Sequence, residues 1–419
     1  MPGTGAWRMS SLRIAAGLLA GLLVGLWLPQ WPAAWGAWAW AVLEPVGTLW
    51  LNALRMTVLP LVVALLVAGI GRSAETAAGS RLAWRALRVF IVLLVAGAVL
   101  GAVLSLGLLA LWPVAPEAAA ALRAAAQDAG AVPELPPLRD WLVTVIPANP
   151  FEAAATGAVL PLVVFAALLG VAAGRLESGQ RQVLLGFFES LSAALFKLVH
   201  GVLWIAPVGV FALAVGVGRT GGLQAAGAIG QYLVLASGLS VALTLLLYPV
   251  AVWGGGLGWR EFARAAAPAQ VVAISTQSSL ACLPAMLTGM AGLRPARPDA
   301  AVVLPLAVSL FRMTSPLVNI GVVLFVAHVH GVSIGPGALL AGVLLAVITS
   351  WSVVGLPSQI TFFNTTVPMS LAMGVPTGVL PLLLAVEVIP DLFRTVGNVT
   401  ADLAATAVVT RDGERREVA

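Results

Sequence analysis

Runs of apolar residues long enough to cross a membrane recur along the whole chain, and they limit the possible fold more than any other feature. They lie near residues 12–30, 40–70, 84–113, 141–174, 186–217, 224–255, 298–328 and 377–409. A membrane-spanning helix needs about 20 apolar residues. Only 9% of the residues are charged, against roughly 25% in soluble domains. We predict an all-α polytopic membrane protein with eight transmembrane helices.

Two further apolar segments, near 260–292 and 334–374, carry polar residues, glycine and proline at their centres. The first contains "ISTQSSLACLP" and the second contains "TSWSVVGLPSQITFFNTT". Irregular backbone at membrane depth is tolerated only where it is buried in protein or lines a cavity. The sequence therefore predicts two re-entrant helical hairpins.

The arginines between the predicted spans give the chain an orientation. If the N-terminus is cytoplasmic, every basic cluster lies on the cytoplasmic side, as the positive-inside rule requires. The two hairpins then open toward opposite sides, which is typical of the inverted repeats of secondary transporters. We predict a multi-pass protein of the cell (inner) membrane with cytoplasmic N- and C-termini. The net charge of +5 belongs to these loops and does not indicate binding to nucleic acid.

Other classes of protein fit the sequence less well. The chain has one cysteine, Cys282, and three scattered histidines, so no disulfide, metal site or cofactor is expected. No nucleophile–base pair indicates an enzyme. A channel would spread its polar residues over several equivalent helices, whereas here they are concentrated late in the chain.

A polar stripe runs along the last apolar segment, "EVIPDLFRTVGNVTADLAATAVV". Its members are spaced 4, 3, 4 and 4 residues apart and so share one helix face: Glu387, Asp391, Arg394, Asn398 and Asp402. Ionisable residues inside a membrane are costly and usually functional. The structural alternative is an Asp391–Arg394 salt bridge that only packs helices. Glu387 lies nearest the outer end, where solvation is the alternative to a direct role.

The chemistry of this stripe matches an acidic amino acid. Arg394 can hold a carboxylate in bidentate fashion, and Asp391 can accept an ammonium group. Asn398 can donate to a second carboxylate. Ser278 and Ser279, at the tip of the first predicted hairpin, are candidates for the same carboxylate, unless they bond back to their own helix.

Several stretches, in order, resemble the dicarboxylate/amino acid:cation symporters, which include aspartate and glutamate transporters. They are "PANPFEAAATGAVLPLVVFAALLG", "APVGVFAL", "TQSSLACLP", "VVGLPSQ" and "DLFRTVGNVTADLAATAVV". The resemblance implies a homotrimer in which a transport domain moves past a scaffold like an elevator. It assigns residues 1–83 to scaffold helices 1 and 2, 84–113 to transport helix 3, 114–222 to scaffold helices 4 and 5, 223–258 to transport helix 6 and 259–419 to the transport core.

The resemblance also implies roles for individual residues. Arg394 matches the ligand of the substrate's side-chain carboxylate, and Asp391 matches the ligand of its amine. The other candidate substrate ligands are Thr395, Asn398, Ser278, Ser279 and Ser315. Asp402 matches a sodium-binding carboxylate. Because both Arg394 and Asp391 are present, the substrate is expected to be aspartate or glutamate.

The chain departs from the family in its seventh helix. Where the family has Asn-Met-Asp-Gly-Thr, this chain has Phe311, Arg312, Met313, Thr314 and Ser315. Hydroxyl positions of the third helix correspond to Val95 and Ala96 or close neighbours. Hard cations such as sodium want oxygen ligands, and Phe311 and Met313 side chains offer none. We therefore expect sodium sites to be lost.

Our hypothesis is that Arg312 acts as a tethered cation beside Asp402 in place of sodium. The alternative is that Arg312 extends to a water-filled crevice. Protons are then possible coupling ions, with Glu387, Asp391 and Asp402 as titratable candidates. The predicted function is sodium-independent transport of aspartate or glutamate, secondary active or facilitative. The alternative is a sodium- or proton-coupled symporter of dicarboxylates or glutamate with relocated ion sites.

Overall fold

The part of the chain that the structure describes is largely helical. The computed structural model describes residues 4–77, 81–126, 146–156, 159–293, 297, 299–350 and 358–411. Every regular element within these ranges is helical, which confirms the predicted all-α class.

The first half of the chain supplies eight helices in the described ranges. They are α1 (Thr4–Trp27), α2 (Ala33–Ala77), α3 (Arg81–Leu111), α4 (Pro116–Ala125), α5 (Pro150–Ala155), α6 (Val159–Gly174), α7 (Ser178–Trp204) and α8 (Ala206–Pro249). Helix α8 is kinked at Gly222, whose φ of +57° is open to glycine at little cost. It runs on into a π-helical turn, Val250–Gly254.

The second half is divided more finely. It comprises α9 (Trp259–Thr276), α10 (Ser279–Ala291), α11 (Ala300–Leu310), α12 (Thr314–His330), α13 (Pro336–Ser350), α14 (Ser358–Ala372), α15 (Leu380–Val386) and α16 (Val388–Thr410). Four described segments are long and apolar enough to cross a membrane: Arg81–Leu111, Ser178–Val199, Gln224–Gly254 and Ala300–His330. The count of eight spans therefore stays a prediction.

Several of the predicted spans contain a helix boundary. The span over 186–217 is divided at Ile205, the span over 298–328 opens at residues 311–313, and the span over 377–409 is divided at Glu387. Each of these three boundaries lies two to five residues before a proline: Pro207, Pro316 and Pro390. Proline has no backbone N–H and its ring clashes with the carbonyl four residues earlier, which favours a break, although other prolines such as Pro45 and Pro305 lie inside helices.

Two pairs of consecutive helices correspond to the predicted hairpins. Helices α9 and α10 pack on each other around a turn at Gln277 and Ser278. They approach closely, because a Cβ at Gly289 would lie 2.2 Å from the carbonyl oxygen of Ala265. Helices α13 and α14 also pack together, but residues 351–357, with most of the second predicted tip, lie outside the described residues. That either pair re-enters the membrane stays a prediction.

Burial differs sharply between the start and the end of the chain. Trp27, Trp35 and Trp38 are 70%, 67% and 67% exposed, so the early helices present large apolar side chains on the outside. In contrast, nearly every residue of α12 is buried, and so are most residues of α16. The late helices therefore form the interior of the protein, where the polar stripe lies.

Helix α3 packs closely on α12 and offers a test of that packing. A Cβ at Gly101 would lie 2.3 Å from the carbonyl oxygen of Leu317, whereas a Cβ at Gly107 in the same helix would meet nothing within 4 Å. We expect Gly101→Ala to destabilise the protein by about 1–3 kcal/mol through overpacking. Gly107→Ala is the control and should be neutral or slightly stabilising. Thermal unfolding of both variants in detergent checks this, and equal midpoints would contradict the described packing.

Candidate functional site

Arg394 lies at the centre of a buried polar cluster built from three helices and one helix boundary. Its Nη1 donates to Glu387 Oε1 at 2.5 Å, and its Nη2 donates to Asn319 Oδ1 at 2.8 Å. The hydroxyl of Tyr232 on α8 donates to the other Glu387 oxygen. All four side chains are at most 4% exposed. We call Tyr232, Asn319, Glu387 and Arg394 the Arg394 cluster.

The Arg394 cluster corrects one prediction and adds two residues. The alternative that Glu387 is solvated at the outer end of the helix is wrong. This carboxylate is fully buried and is paired with Arg394. Tyr232 and Asn319 were not predicted. Neither belongs to a long polar stripe like that of the last segment, and the signal for each is the cost of burying a polar group without a partner.

The break between α11 and α12 is closed by Asn398 of α16. Its Oδ1 accepts hydrogen bonds from the backbone N–H and the hydroxyl of Thr314, at 3.1 and 2.8 Å. This side chain therefore caps the N-terminus of α12 from a neighbouring helix. The carboxamide NH2 of Asn398 takes no part in these two bonds. Ser315, in the next position of α12, is also buried.

The turn between α9 and α10 approaches the start of α16. Gln277 has a left-handed backbone with φ of +51°, and its amide donates to the Val388 carbonyl at 3.0 Å. The Ser278 hydroxyl accepts from Ala281 N at 3.4 Å, so it bonds back to its own helix, as the structural alternative expected. Ser279 differs, because its Oγ is buried and has no hydrogen-bond partner in the described structure.

Arg312 and Asp402 are both buried, at 4% and 0% exposure. The alternative that Arg312 extends into a water-filled crevice is therefore wrong. Its charge is attracted by Asp391 and Asp402 and repelled by Arg394. Neither oxygen of Asp402 has a hydrogen-bond partner in the part of the chain that is described, so the Arg312–Asp402 attraction acts without a hydrogen bond.

Asp391 of the stripe and Thr395 of the same helix are also buried. Asp391 is 1% exposed and sits in the first turn of α16. The Thr395 hydroxyl donates to the backbone carbonyl of Asp391 at 2.8 Å, so its oxygen keeps lone pairs for a ligand. The helical periodicity predicted for Asp391, Arg394, Asn398 and Asp402 is confirmed, because all four lie on α16 and are buried.

Phe311 and Met313, at the positions where the sequence predicts the loss of sodium ligands, are packed against apolar groups. The Phe311 ring stacks on Phe90 of α3, with ring centroids 4.8 Å apart and planes inclined by 14°. Met313 packs against Gly97, where a Cβ would come within 3.3 Å of its side chain. Val95 is 42% exposed, so the α3 residues that face the break are its neighbours. The side chains of Phe311 and Met313 bring carbon and sulfur, and no oxygen, to the break between α11 and α12.

The site as a whole is a buried region of opposed charges. Two arginines and three carboxylates lie within it: Arg312, Arg394, Glu387, Asp391 and Asp402. Fully ionised, these side chains carry one more negative than positive charge. Such an arrangement suits a ligand that carries both signs of charge, and it disfavours a purely anionic ligand unless a cation or proton accompanies it.

Comparison with known proteins identifies the class. The profile of the sodium:dicarboxylate symporter family matches residues 11–412, and the chain belongs to this family of membrane transporters. Members of the family are transporters and not enzymes, in agreement with the sequence analysis. The predicted resemblance to dicarboxylate and amino acid symporters is confirmed.

Individual relatives are distant but cover the chain almost fully. The chain is 23% identical over 380 residues to the proton/glutamate-aspartate symporter of Escherichia coli K12, covering 88% of this chain and 85% of the relative. It is 23% identical over 390 residues to the proton/sodium-glutamate symport protein of Bacillus caldotenax, covering 90% and 89%. It is 27% identical over 386 residues to the C4-dicarboxylate transport protein of Anaeromyxobacter sp. strain K, covering 89% and 85%.

The Glu387–Arg394 pair can be tested by a double-mutant cycle. Removing one partner of a buried ion pair leaves an uncompensated charge and typically costs about 3–5 kcal/mol. We expect Glu387→Met and Arg394→Met each to lower the unfolding midpoint strongly, and the double variant to be more stable than the sum of the two effects predicts. Thermal unfolding in detergent measures all three. Additive effects would show that the two side chains act independently.

Proposed function

We propose that this protein transports aspartate or glutamate across the cell membrane, without sodium, by an elevator motion of a transport domain within a homotrimer. The observation that carries the proposal is the buried Arg394 guanidinium, held by Glu387 and Asn319 beside the first turn of α16. A buried arginine that is preorganised in this way is suited to a carboxylate. Membership in the symporter family supports a transported, and not a reacting, ligand.

The polar groups around Arg394 match the remaining parts of an acidic amino acid. Asp391 can accept the ammonium group, while the Asn398 carboxamide and the unpartnered Ser279 hydroxyl can donate to the main-chain carboxylate. Glu387 and Asn319 each take one N–H donor of Arg394. A guanidinium has five N–H donors, so others are left for a substrate carboxylate while these two contacts hold the side chain in place.

Sodium independence rests on what fills the family's ion-binding positions. Phe311 is stacked on an aromatic ring and Met313 is packed on α3, so neither fits a sodium ion that needs oxygen ligands. Arg312 already places a positive charge within the field of Asp391 and Asp402. Its own contribution would repel a second cation by roughly 4 kcal/mol at about 4 Å for an effective dielectric of about 20, which offsets attraction by the two carboxylates.

The moving part of the elevator would comprise α3, the second half of α8 and α9 to α16, within the predicted ranges 84–113, 223–258 and 259–419. Helices α3, α8, α12 and α16 pack together around the buried charges, which supports their moving as one body. The α9–α10 and α13–α14 pairs would be the two re-entrant hairpins that close the site.

The first test is uptake of labelled aspartate into proteoliposomes with sodium fully replaced by choline. We expect saturable uptake and counterflow to continue at an unchanged rate. Arg312→Met should reduce this uptake by at least tenfold, because the carboxylates at Asp391 and Asp402 lose their compensating charge. Arg72→Gln is the control, since Arg72 pairs with the half-exposed Glu189 outside the site. Uptake that needs sodium would overturn the sodium-independent part of the proposal.

Proton coupling is the second candidate, and Asp402 is the observation that favours it. A buried carboxylate without a hydrogen-bond partner among the described residues is a natural place for a proton, although the charge of Arg312 opposes protonation. If protons are the coupling ion, we expect an inward proton gradient to drive aspartate uptake above the equilibrium level in the choline medium. Uptake that only equilibrates, with or without the gradient, indicates a facilitative carrier instead.

Asp391 is the residue that we expect to distinguish amino acids from dicarboxylates that lack an ammonium group. We expect wild-type protein to prefer aspartate over succinate, because only aspartate has an ammonium group for this carboxylate. Asp391→Asn should weaken aspartate binding by at least tenfold and succinate binding much less, as measured by competition with labelled substrate. Glu189→Gln, which alters the exposed ion pair of α2 and α7, is the matched control. Equal losses for the two substrates would contradict recognition of the amine.

A further inference from the structure

An open cleft lies at the base of the α9–α10 pair, far along both helices from the turn at Gln277. Its volume is about 760 Å³, and it lies between the first turns of α9 and the last turn of α10. Arg260 and Arg264 lie on the α9 side, and Thr288, Gly289 and Gly292 lie on the α10 side. Neither the transport proposal nor the family match assigns a role to this cleft.

The two arginines are positioned to share an anion. They are four residues apart on α9 and therefore share a helix face, and both are exposed. Neither has a hydrogen-bond or ion-pair partner within the described residues. Glu261, which also lines the cleft, accepts a hydrogen bond from Gly258 N at 3.2 Å at the start of the helix. Like charges at this spacing destabilise a helix, and an anion bound between them would remove that cost.

The wall opposite the arginines is shaped by glycine. A Cβ at Gly289 would lie 2.2 Å from the Ala265 carbonyl oxygen, so a larger residue there would push α9 and α10 apart and change the cleft. Trp259 stands at the rim and is 50% exposed. Tryptophan is enriched at the membrane–water interface. In a membrane transporter, an exposed tryptophan beside two arginines places the opening at the level of the lipid headgroups.

We propose that this cleft binds the phosphate of an anionic phospholipid headgroup, with Arg260 and Arg264 as its two ligands. Guanidinium groups hold phosphate oxygens through paired, charge-assisted hydrogen bonds, and basic pockets between transmembrane helices are known sites for anionic headgroups. Free phosphate has the same chemistry, but the position of Trp259 favours a lipid. A headgroup held here would brace the base of the α9–α10 pair.

The experiment uses the purified full-length protein in detergent, titrated separately with phosphatidylglycerol, phosphatidylcholine and inorganic phosphate. Binding is followed by native mass spectrometry and by the shift in unfolding temperature. We expect phosphatidylglycerol to bind and stabilise more strongly than phosphatidylcholine. Arg260→Gln and Arg264→Gln should each weaken phosphatidylglycerol binding about fivefold, and the double variant about thirtyfold.

The control is Arg81→Gln/Arg88→Gln, which removes the same charge from two exposed arginines of α3 that do not line the cleft. This variant should keep its phosphatidylglycerol affinity within about twofold. Equal losses in both double variants, or no loss in the single variants, would overturn the proposal. Stabilisation by inorganic phosphate equal to that by phosphatidylglycerol would assign the cleft to free phosphate instead. Since the readout is binding, the result does not depend on the transport proposal.

Discussion

The buried pair of Glu387 and Arg394 is the interaction on which the rest of the site depends. Either charge alone inside this apolar protein would carry a desolvation cost of several kcal/mol. Their 2.5 Å contact, completed by the Tyr232 hydroxyl and the Asn319 carbonyl, offsets this cost. It also joins α8, α12 and α16 in one connected network of hydrogen bonds.

Interrupted helices are what allow these contacts to form. Pro390 ends the regular hydrogen bonding before α16 and leaves Glu387 at the boundary, and the break before α12 exposes backbone groups inside the protein. The opened N-terminus of α12 finds a partner from elsewhere, because Asn398 accepts from the Thr314 N–H. Unpaired backbone groups are costly away from water, so this break depends on the Asn398 side chain.

The break between α11 and α12 combines apolar packing with a buried charge. Phe311 stacks on Phe90, and Arg312 brings a fixed charge into the field of Asp391 and Asp402. In the proposed function Arg312 takes the place of a bound cation, and a tethered cation needs no binding equilibrium, so its entropy cost is met during folding. Asp402 is buried without a hydrogen bond in the described structure, which in the same proposal leaves a proton as its second candidate partner.

The sequence by itself determined the membrane class, the helical face of the last segment and the symporter family. These follow from hydropathy, from residue spacing and from ordered motifs, all of which are local along the chain. It did not determine the partners. Tyr232 is 155 residues from Glu387 and Asn319 is 75 residues from Arg394, and a lone polar residue in an apolar helix has no periodic signal. Which carboxylate neutralises Arg394, and which serine of the α9–α10 turn stays open, was decided only when the packed helices brought distant side chains within hydrogen-bonding distance.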